Sequence, residues 1–527
     1  MVKRPVLQCN GGGNFLGVYY SGQSLLKLFE LHLDSLEDFL CKVIGNFAAI
    51  VEKEGAVYVV TDKIRSYPLF VKECGDDFLV TDCIEEILGR ANGDEIDKKA
   101  EYELLRAGYT FSKDTLLMGV WQIPAGCYGI IDDGFHIKEY HNFIHNKENE
   151  LDDETIKRIS RDIMEKAFGR MLSSIEPGTQ IVIPLSGGYD SRLIACLCKQ
   201  HDIENVVCYT YGRKDSFEVL TSKKVAEQLH YRWIFVEYTD EYLMSFANNE
   251  AFLKFVDTAG NLCSLPHYQD YFAVSYMHQH HLIDDGAVIL PGYVGDVYGG
   301  SKYKPEKTNG IPKPSKEDLY NLIVSEFFEW NLKLNDKNLN NSCLSEYLDT
   351  FTVNTTDDLL DISETYWFMK SRACNFILNS VRTYELFSYQ WRVPLLDDEY
   401  VSFWYSIPWE KKEKPKLYNE YMFDYYFNSL HVDYYKTVPS TVKAAKVGSN
   451  FKSLIPSSVR TWIRNVYFKL HPSTVNCNSQ LTLIKLFKAL NPRNGKLPMK
   501  GALSYAMDVN SIVTRVTINR LQANLLR

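Results

Sequence analysis

The sequence predicts an α/β protein: a β-rich N-terminal part followed by a doubly wound parallel sheet with helical additions. Three observations carry that expectation. The first 145 residues read as short strands joined at tight turns, strand and helix patterns alternate from residue 155, and the chain beyond 315 is mainly helical and aromatic. At 527 residues the chain is also too long for a single core. The expected divisions are 1–145, 150–440 and 441–527, the last a weakly patterned C-terminal helical extension. No internal repeat is visible.

Along the chain, FAAIVEKEGAVYVVTD (47–62) gives two strands around a Lys-Glu-Gly turn, and YPLFVKECGDDFLVTD (67–82) repeats the arrangement around Gly75-Asp76. A third pair in GCYGIIDDGFHIKEY (126–140) turns at Asp133-Gly134, so the pairing is expected to be antiparallel. The charged run NKENELDDETIKR (146–158) reads as a solvated linker. A helix over 154–173 precedes a strand at 181–185, and another helix follows the turn after that strand. NVVCYTYG (205–212) and YRWIFVEY (231–238) are strands around the amphipathic helix KDSFEVLTSKKVAEQLH, where Asp215 and Glu218 have capping-box spacing. GAVILPGYVGD (286–296) is a later strand ending in a glycine-rich turn. Alternation of this kind implies right-handed crossovers and a parallel sheet.

Composition excludes several classes. Apolar residues make up 45% and charged residues 24%, as in a folded globular chain. The net charge of −9 argues against a nucleic-acid partner, which needs a basic face. The 12 cysteines show no CxxC pairing, so they read as reduced, packed thiols of a cytoplasmic protein. No apolar run reaches the roughly 18 residues of a membrane span, and MVKRPVLQCNGGG lacks the apolar core of a signal peptide. His267, His278, His280 and His281 show no metal-ligand spacing and read as structural.

The stretch IVIPLSGGYDSRLIACLC (181–198) carries the chemistry. A buried strand runs into Ser186-Gly187-Gly188-Tyr189-Asp190-Ser191, and a helix begins there. Glycines let backbone N–H groups approach an anion closely, and a helix N-terminus adds partial positive charge. Ser186 and Ser191 can donate hydroxyl hydrogen bonds to phosphate oxygens. Asp190 would repel a phosphate unless a divalent cation lay between them, which points to Mg²⁺. The turn matches neither GxxxxGK[ST] nor GxGxxG; it fits a pyrophosphate cradle.

SGGYDS resembles the SGGxDS signature of the N-type ATP pyrophosphatases, which split ATP into AMP and pyrophosphate to activate a substrate oxygen. Within that group the chain resembles the asparagine synthetase family. LPGYVGDVYGG (290–300) is similar to the family's LSGEGxDELFGG segment, WRVPLLDDEYVSFWYSIP (391–408) to its RVPFLD segment, and KPKLYNEY (414–421) occupies the place of its KxxLR segment. NSVRTYELFSYQWRVPLLD (379–397) most resembles asparagine-synthetase-like proteins of bacterial surface-polysaccharide gene clusters. GNFAAIVEKEGAVYVVTDKIRSYPLF (45–70) and IPAGCYGIID (123–132) resemble strands of the family's class II glutaminase half. The resemblance implies that Ser186, Gly187, Gly188, Asp190 and Ser191 bind the ATP pyrophosphate, that Asp190 and Asp296 hold Mg²⁺, and that adenine lies near Tyr209 to Tyr211. It also implies that Lys416 neutralises charge at the α-phosphate.

Two departures qualify this. Tyr293 stands where asparagine synthetases have a Glu; related β-lactam synthetases have a Tyr there, working with a Glu of the RVPFLD region. Here that second position is Gln390, which is no base, and Glu385 is the candidate substitute. A tyrosine needs help to act as a base near neutrality, so either the nitrogen arrives already nucleophilic or the base lies elsewhere. The glutaminase half lacks its cysteine: position 2 is Val2, and Cys9 lies too close to Asn46 to build a glutamine pocket. A degenerate scaffold covering the synthetase cleft is expected instead.

The leading expectation is therefore an ATP-dependent amide-forming ligase. It adenylates aspartate, as in asparagine biosynthesis, or a sugar uronic acid, as in surface polysaccharide biosynthesis. Pyrophosphate leaves, and ammonia or another amine attacks, the nitrogen coming free or from a separate glutaminase. The alternative is a catalytically degenerate scaffold. Thiolation of tRNA would want a basic face and paired cysteines, which the sequence lacks.

Overall fold

A computed structural model describes residues 15–19, 35–75, 77–91, 93–147, 150–303, 305–308, 311, 313–434, 480–492 and 505–526. Val2 and Cys9 lie outside these, as does Asp76 of the second hairpin turn. The β-rich part holds two antiparallel sheets. Strands β1 (Phe15–Tyr19), β2 (Gly45–Lys53), β3 (Ala56–Thr61), β4 (Phe70–Cys74), β5 (Asp77–Thr81), β6 (Val120–Gln122), β7 (Cys127–Ile131) and β8 (Phe135–Glu139) form the orders β1-β2-β3-β7-β8 and β5-β4-β6. All three expected hairpins are present and antiparallel.

Alternation along the strands explains the layering. Ala48, Ile50, Val57 and Val59 pack with Val71, Val80 and Ile123 between the two sheets. Phe47, Ala49, Val51 and Val60 face the other way, against helix α1 (Leu36–Lys42). Helix α2 (Lys98–Ala107) is capped by Asp97 and lies against the smaller sheet's cluster.

After helix α3 (Asp153–Ser173), capped by Asp152, comes a five-stranded parallel sheet. Its strands are β9 (Ile181–Pro184), β10 (Val206–Gly212), β11 (Arg232–Glu237), β12 (Val288–Ile289) and β13 (Gln390–Trp391), in the order β11-β10-β9-β12-β13. Helix α4 (Tyr189–Gln200) follows β9 and buries every residue from Ser191 to Cys198, as a helix in the middle of a core must. Helix α5 (Phe217–Leu229) is capped by Ser216, which accepts from Val219 N, rather than by the Asp215–Glu218 spacing the sequence suggested. The hydroxyl of Ser216 reaches the N3 amide, so the helix begins one residue later.

Beyond 315 the described elements are mainly helical, as expected, and Gln390–Trp391 adds a fifth strand beside β12, too short to show a period of two. Two expectations needed correction. The strand near 286–296 shrinks to two residues because its remainder turns into a loop. The charged run near 146 is not simply solvated, since Lys147 pairs with Asp361 at 2.6 Å and lies 5.2 Å from the Trp409 ring. Helix α6 (Tyr271–Gln279) packs against the short helix Arg382–Leu386, helix α7 (Lys416–Met422) lies by α3, and helices α8 (Gln480–Ala489) and α9 (Tyr505–Leu525) pack on each other. No helix among the described residues is long and apolar enough to cross a membrane.

The two parts are stitched by backbone. Thr110 N donates to Cys263 O at 2.7 Å, Leu116 N to Leu262 O at 2.8 Å, and Leu265 N to Gly108 O at 3.0 Å. Arg382 adds a bond to the carbonyl of Ser66 at 2.6 Å, and Tyr67 packs on Trp391.

Candidate functional site

Ligands of open parallel sheets settle beyond the carboxyl ends of the strands, where the strand order reverses. Here β10 and β11 extend to one side of β9, while β12 and β13 lie on the other, so the switch point falls between β9 and β12. The two motif-bearing loops leave the sheet there. A Cβ on Gly292 would stand 2.5 Å from Ser191 N, and one on Gly295 would stand 2.8 Å from the Asp190 carboxyl carbon. Glycine is what lets the loops touch. Asp296 donates its backbone N–H to Asp190 Oδ2 at 3.1 Å. Between these residues Val294 has φ 72°, a left-handed conformation that a β-branched residue adopts only under constraint.

The Ser186–Ser191 turn is closed by its own hydroxyls. Ser186 N donates to Ser191 Oγ at 3.1 Å, Gly188 N donates to Ser186 Oγ at 3.0 Å, and the two hydroxyl oxygens are 3.1 Å apart. Gly188 is the N-cap of α4 and supplies no side-chain cap, so the positive end of the helix is left to whatever enters the turn. Arg192, which the sequence did not single out, is buried; it donates to Val432 O at 2.9 Å and Tyr434 O at 2.6 Å and approaches Gly187 O at 3.5 Å. It fixes the turn from behind.

From the segment KPKLYNEY the structure brings Tyr418, not Lys416, to Asp190. The Tyr418 hydroxyl is 3.5 Å from Asp190 Oδ1, and Gly299 leaves room for the ring, since a Cβ there would stand 2.5 Å from it. Lys416 is 78% exposed and lies 3.5 Å from Glu420, one turn along α7. A different cation, Lys302, is in electrostatic reach of Asp296; burial and Arg372 push its amine down, while Glu364, Glu329 and Asp296 act upward.

Tyr293 lies in the same loop as Asp296 but turns inward. Its hydroxyl is 3.2 Å from that of Tyr384 and receives a bond from Ser380 Oγ at 2.7 Å. Burial pushes its phenol up. Neither sequence candidate for a partner base reaches it among the contacts of the described residues. Glu385 accepts from Trp391 Nε1 at 2.8 Å and pairs with Arg382 at 2.7 Å, and Gln390 is exposed with its carbonyl oxygen 3.4 Å from Arg392. Behind Tyr384 stands Asp270, a buried carboxylate pushed up to about 6 by desolvation.

Tyr209, near the expected adenine position, is buried with its carbonyl bonded to Leu185 N and its hydroxyl on Asp270. Beyond it, β10 outruns β9: the pairing stops at Tyr209–Pro184, so residues 210–212 extend past β9 beside the Ser186 turn. Among the described residues no three His, Cys, Asp or Glu side chains cluster as a metal site. The Asp190–Asp296 pair fits a hard cation that completes its shell with phosphate oxygens and water, as Mg²⁺ does. His267 is buried and pushed down to about 4 by desolvation, and His278 contacts Tyr389. All ten described cysteines are free thiols.

A parallel sheet whose serine–glycine turn meets the Asp296 loop at the switch point has the form of an anion-binding crevice. The stretch that carries both loops, residues 161–418, matches the asparagine synthase family model. The matched stretch is 258 of the 527 residues, a little under half of the chain. Among solved structures the chain is similar to the NH3-dependent NAD synthetase from Campylobacter jejuni subsp. jejuni NCTC 11168 (17% identity, 38% of this chain and 94% of that one, TM-score 0.21). It is also similar to the U34-tRNA thiolase NcsA from Methanococcus maripaludis (11% identity, 44% and 80%, TM-score 0.21). A third is the glutamine-dependent NAD+ synthetase from Acinetobacter baumannii (12% identity, 63% and 84%, TM-score 0.19). No curated protein matches the chain in sequence.

Proposed function

We propose that the protein adenylates a small carboxylate at the β9–β12 crevice, releases pyrophosphate and passes the acyl group to ammonia or another amine. The meeting of the Asp190 turn with the Asp296 loop carries this reading. The hydroxyls of Ser186 and Ser191 and the N–H groups of the turn hold the pyrophosphate of ATP, and the overhanging end of β10 takes the adenine. Asp190 and Asp296 hold Mg²⁺, which draws off charge from the pyrophosphate as it leaves. Lys416, free to swing from Glu420 on an exposed side chain, meets the α-phosphate, and Lys302 lies within electrostatic reach of Asp296.

The carboxylate is aspartate or the carboxyl group of a sugar uronic acid, with the polysaccharide-type resemblance of 379–397 behind the second. The β-rich part acts as a scaffold, with nitrogen delivered as free ammonia or by a separate glutaminase. Pyrophosphate release from ATP, measured over a panel of amino acids and uronic acids with ammonia or glutamine, tests this. Release should depend on one class of carboxylate, and Asp190→Asn should lower ATP–pyrophosphate exchange by at least about 10²-fold, the scale of losing one preorganised charge interaction. Exchange surviving in Asp190→Asn removes the proposal.

A further inference from the structure

Burial keeps Tyr293 a neutral phenol that already carries its proton, so it can take one from an amine only by passing its own to an acceptor behind it. Asp270 stands where an N-cap residue would, immediately before α6, yet its side chain makes no capping bond. An aspartate in that position ordinarily bonds the helix amides. This one accepts instead from Tyr209 OH through both oxygens at 2.9 Å and from Tyr384 OH at 2.6 Å. Tyr384 has one hydroxyl hydrogen and donates it to Asp270, so at the 3.2 Å contact Tyr293 is the donor. Ser380 Oγ, shared with the Ile377 carbonyl, fixes the Tyr293 oxygen from the other side. With the single Ser380 hydroxyl hydrogen turned to Tyr293, the hydrogen bonds run in one direction, from the crevice loop inward to a carboxylate.

We propose that Tyr293, Tyr384 and Asp270 form a proton relay that serves the amine-transfer step, with Tyr293 as the catalytic residue at the crevice and Tyr384 and Asp270 as positioning residues behind it. This rests on the ligase reading above. As the amine nitrogen bonds to the acyl carbon, the bond from that carbon to the AMP oxygen breaks and AMP leaves with the electron pair. The surplus nitrogen proton passes to the Tyr293 oxygen while the Tyr293 proton moves to Tyr384 and the Tyr384 proton to Asp270 Oδ2. No further reactant is required. The relay answers the missing base: Asp270 supplies the carboxylate that Gln390 and Glu385 do not.

The surroundings make Asp270 the group that titrates. Those facing it are Tyr209 and Tyr211 of β10, Tyr238 after β11, Tyr293 of the β12 loop and Tyr384, and burial pushes every one of these phenols up. No Lys, Arg or His forms an ion pair with Asp270 among the described residues. Near neutrality only Asp270, pushed up to about 6, changes charge, close to the optimum for accepting a proton at physiological pH.

The experiment compares two steps in one protein: ATP–pyrophosphate exchange, and amide formation with ammonia, using whichever of aspartate or glucuronic acid supports exchange. Asp270→Asn should leave exchange within about threefold while amide formation falls about 10²-fold in kcat with the KM for ammonia little changed. The rise of the amide rate with pH through about 6 should disappear with it. Tyr384→Phe, which keeps Tyr209 on Asp270, should give the same split, and the double variant should lose no more than either single one. Asp62→Asn, altering a buried carboxylate far along the chain, should leave the pH limb in place. Amide formation in Asp270→Asn within threefold of the unchanged protein, or an unmoved pH limb, overturns the relay alone; absence of exchange in the unchanged protein overturns the ligase reading and the relay together.

Discussion

Asp62, at the end of β3 in the β-rich part, and Asp270, before α6 in the sheet part, are buried carboxylates that desolvation pushes up to about 6. Neither makes an ion pair among the described residues, yet their partners differ in kind. Asp62 accepts backbone N–H bonds from Phe47 at 2.7 Å and from Ile64 and Ser66 at 3.0 Å, with the Ser66 hydroxyl added. Asp270 accepts only tyrosine hydroxyls in the bonds found for it. A carboxylate tied to amides fixes the path of the chain, because amide protons do not move. One tied to hydroxyls sits at the end of a path along which protons can pass.

The largest effect that separates the two is on stability. Asp62→Ala strands three buried N–H donors at about 1–3 kcal/mol each, so a loss of about 4 kcal/mol is expected by urea denaturation, partly relieved by relaxation. Exchange per folded molecule should not change; if it falls in step with stability, the contrast fails. Next, Gly292→Ala drives a Cβ to 2.5 Å from the Ser191 amide and should lower exchange about 10²-fold by parting the loop of Tyr293 from the turn. Asp62 variants should not reproduce that.

A smaller effect is shared. With both aspartates raised from about 3.9 unfolded, the folded chain keeps protons that the unfolded chain has released between about pH 4 and pH 6. Stability therefore falls as pH rises through that window, and Asp62→Asn and Asp270→Asn should each flatten the Tm-versus-pH slope. Only Asp270→Asn should also alter the rate profile. The smallest effect concerns Val294. Val294→Gly relieves about 1–2 kcal/mol of left-handed strain but adds about 1 kcal/mol of unfolded-chain entropy. Tm should move by only a few degrees, and a drop in amide formation without one in exchange would show that the strain holds Tyr293 in place.

Much of this was legible in the sequence because it is local. The hairpin turns, the SGGYDS turn and the glycines of 290–300 are consecutive residues whose spacing states their geometry. What escaped depends on contacts across the chain. Strand β13 is two residues long and shows no alternation. Asp270 reads as an ordinary helix cap, and nothing near it in sequence reveals Tyr209 or Tyr384. Tyr418 was hidden by Lys416, whose motif position drew attention to a side chain that the fold leaves exposed. Arg192 looked like one more helix residue, since its partners lie at Val432 and Tyr434.

The cluster built on Phe70, Leu79, Ile84 and Leu104 is completed by Leu262 and by Ile518 and Leu521 of α9. A ribosome moving at about 5–20 residues per second takes tens of seconds to travel from the first of these to the last. Throughout that interval the early lobe has emerged but shows an uncovered greasy side, a natural handhold for chaperones. The nascent protein can seal it only when the distant helix arrives.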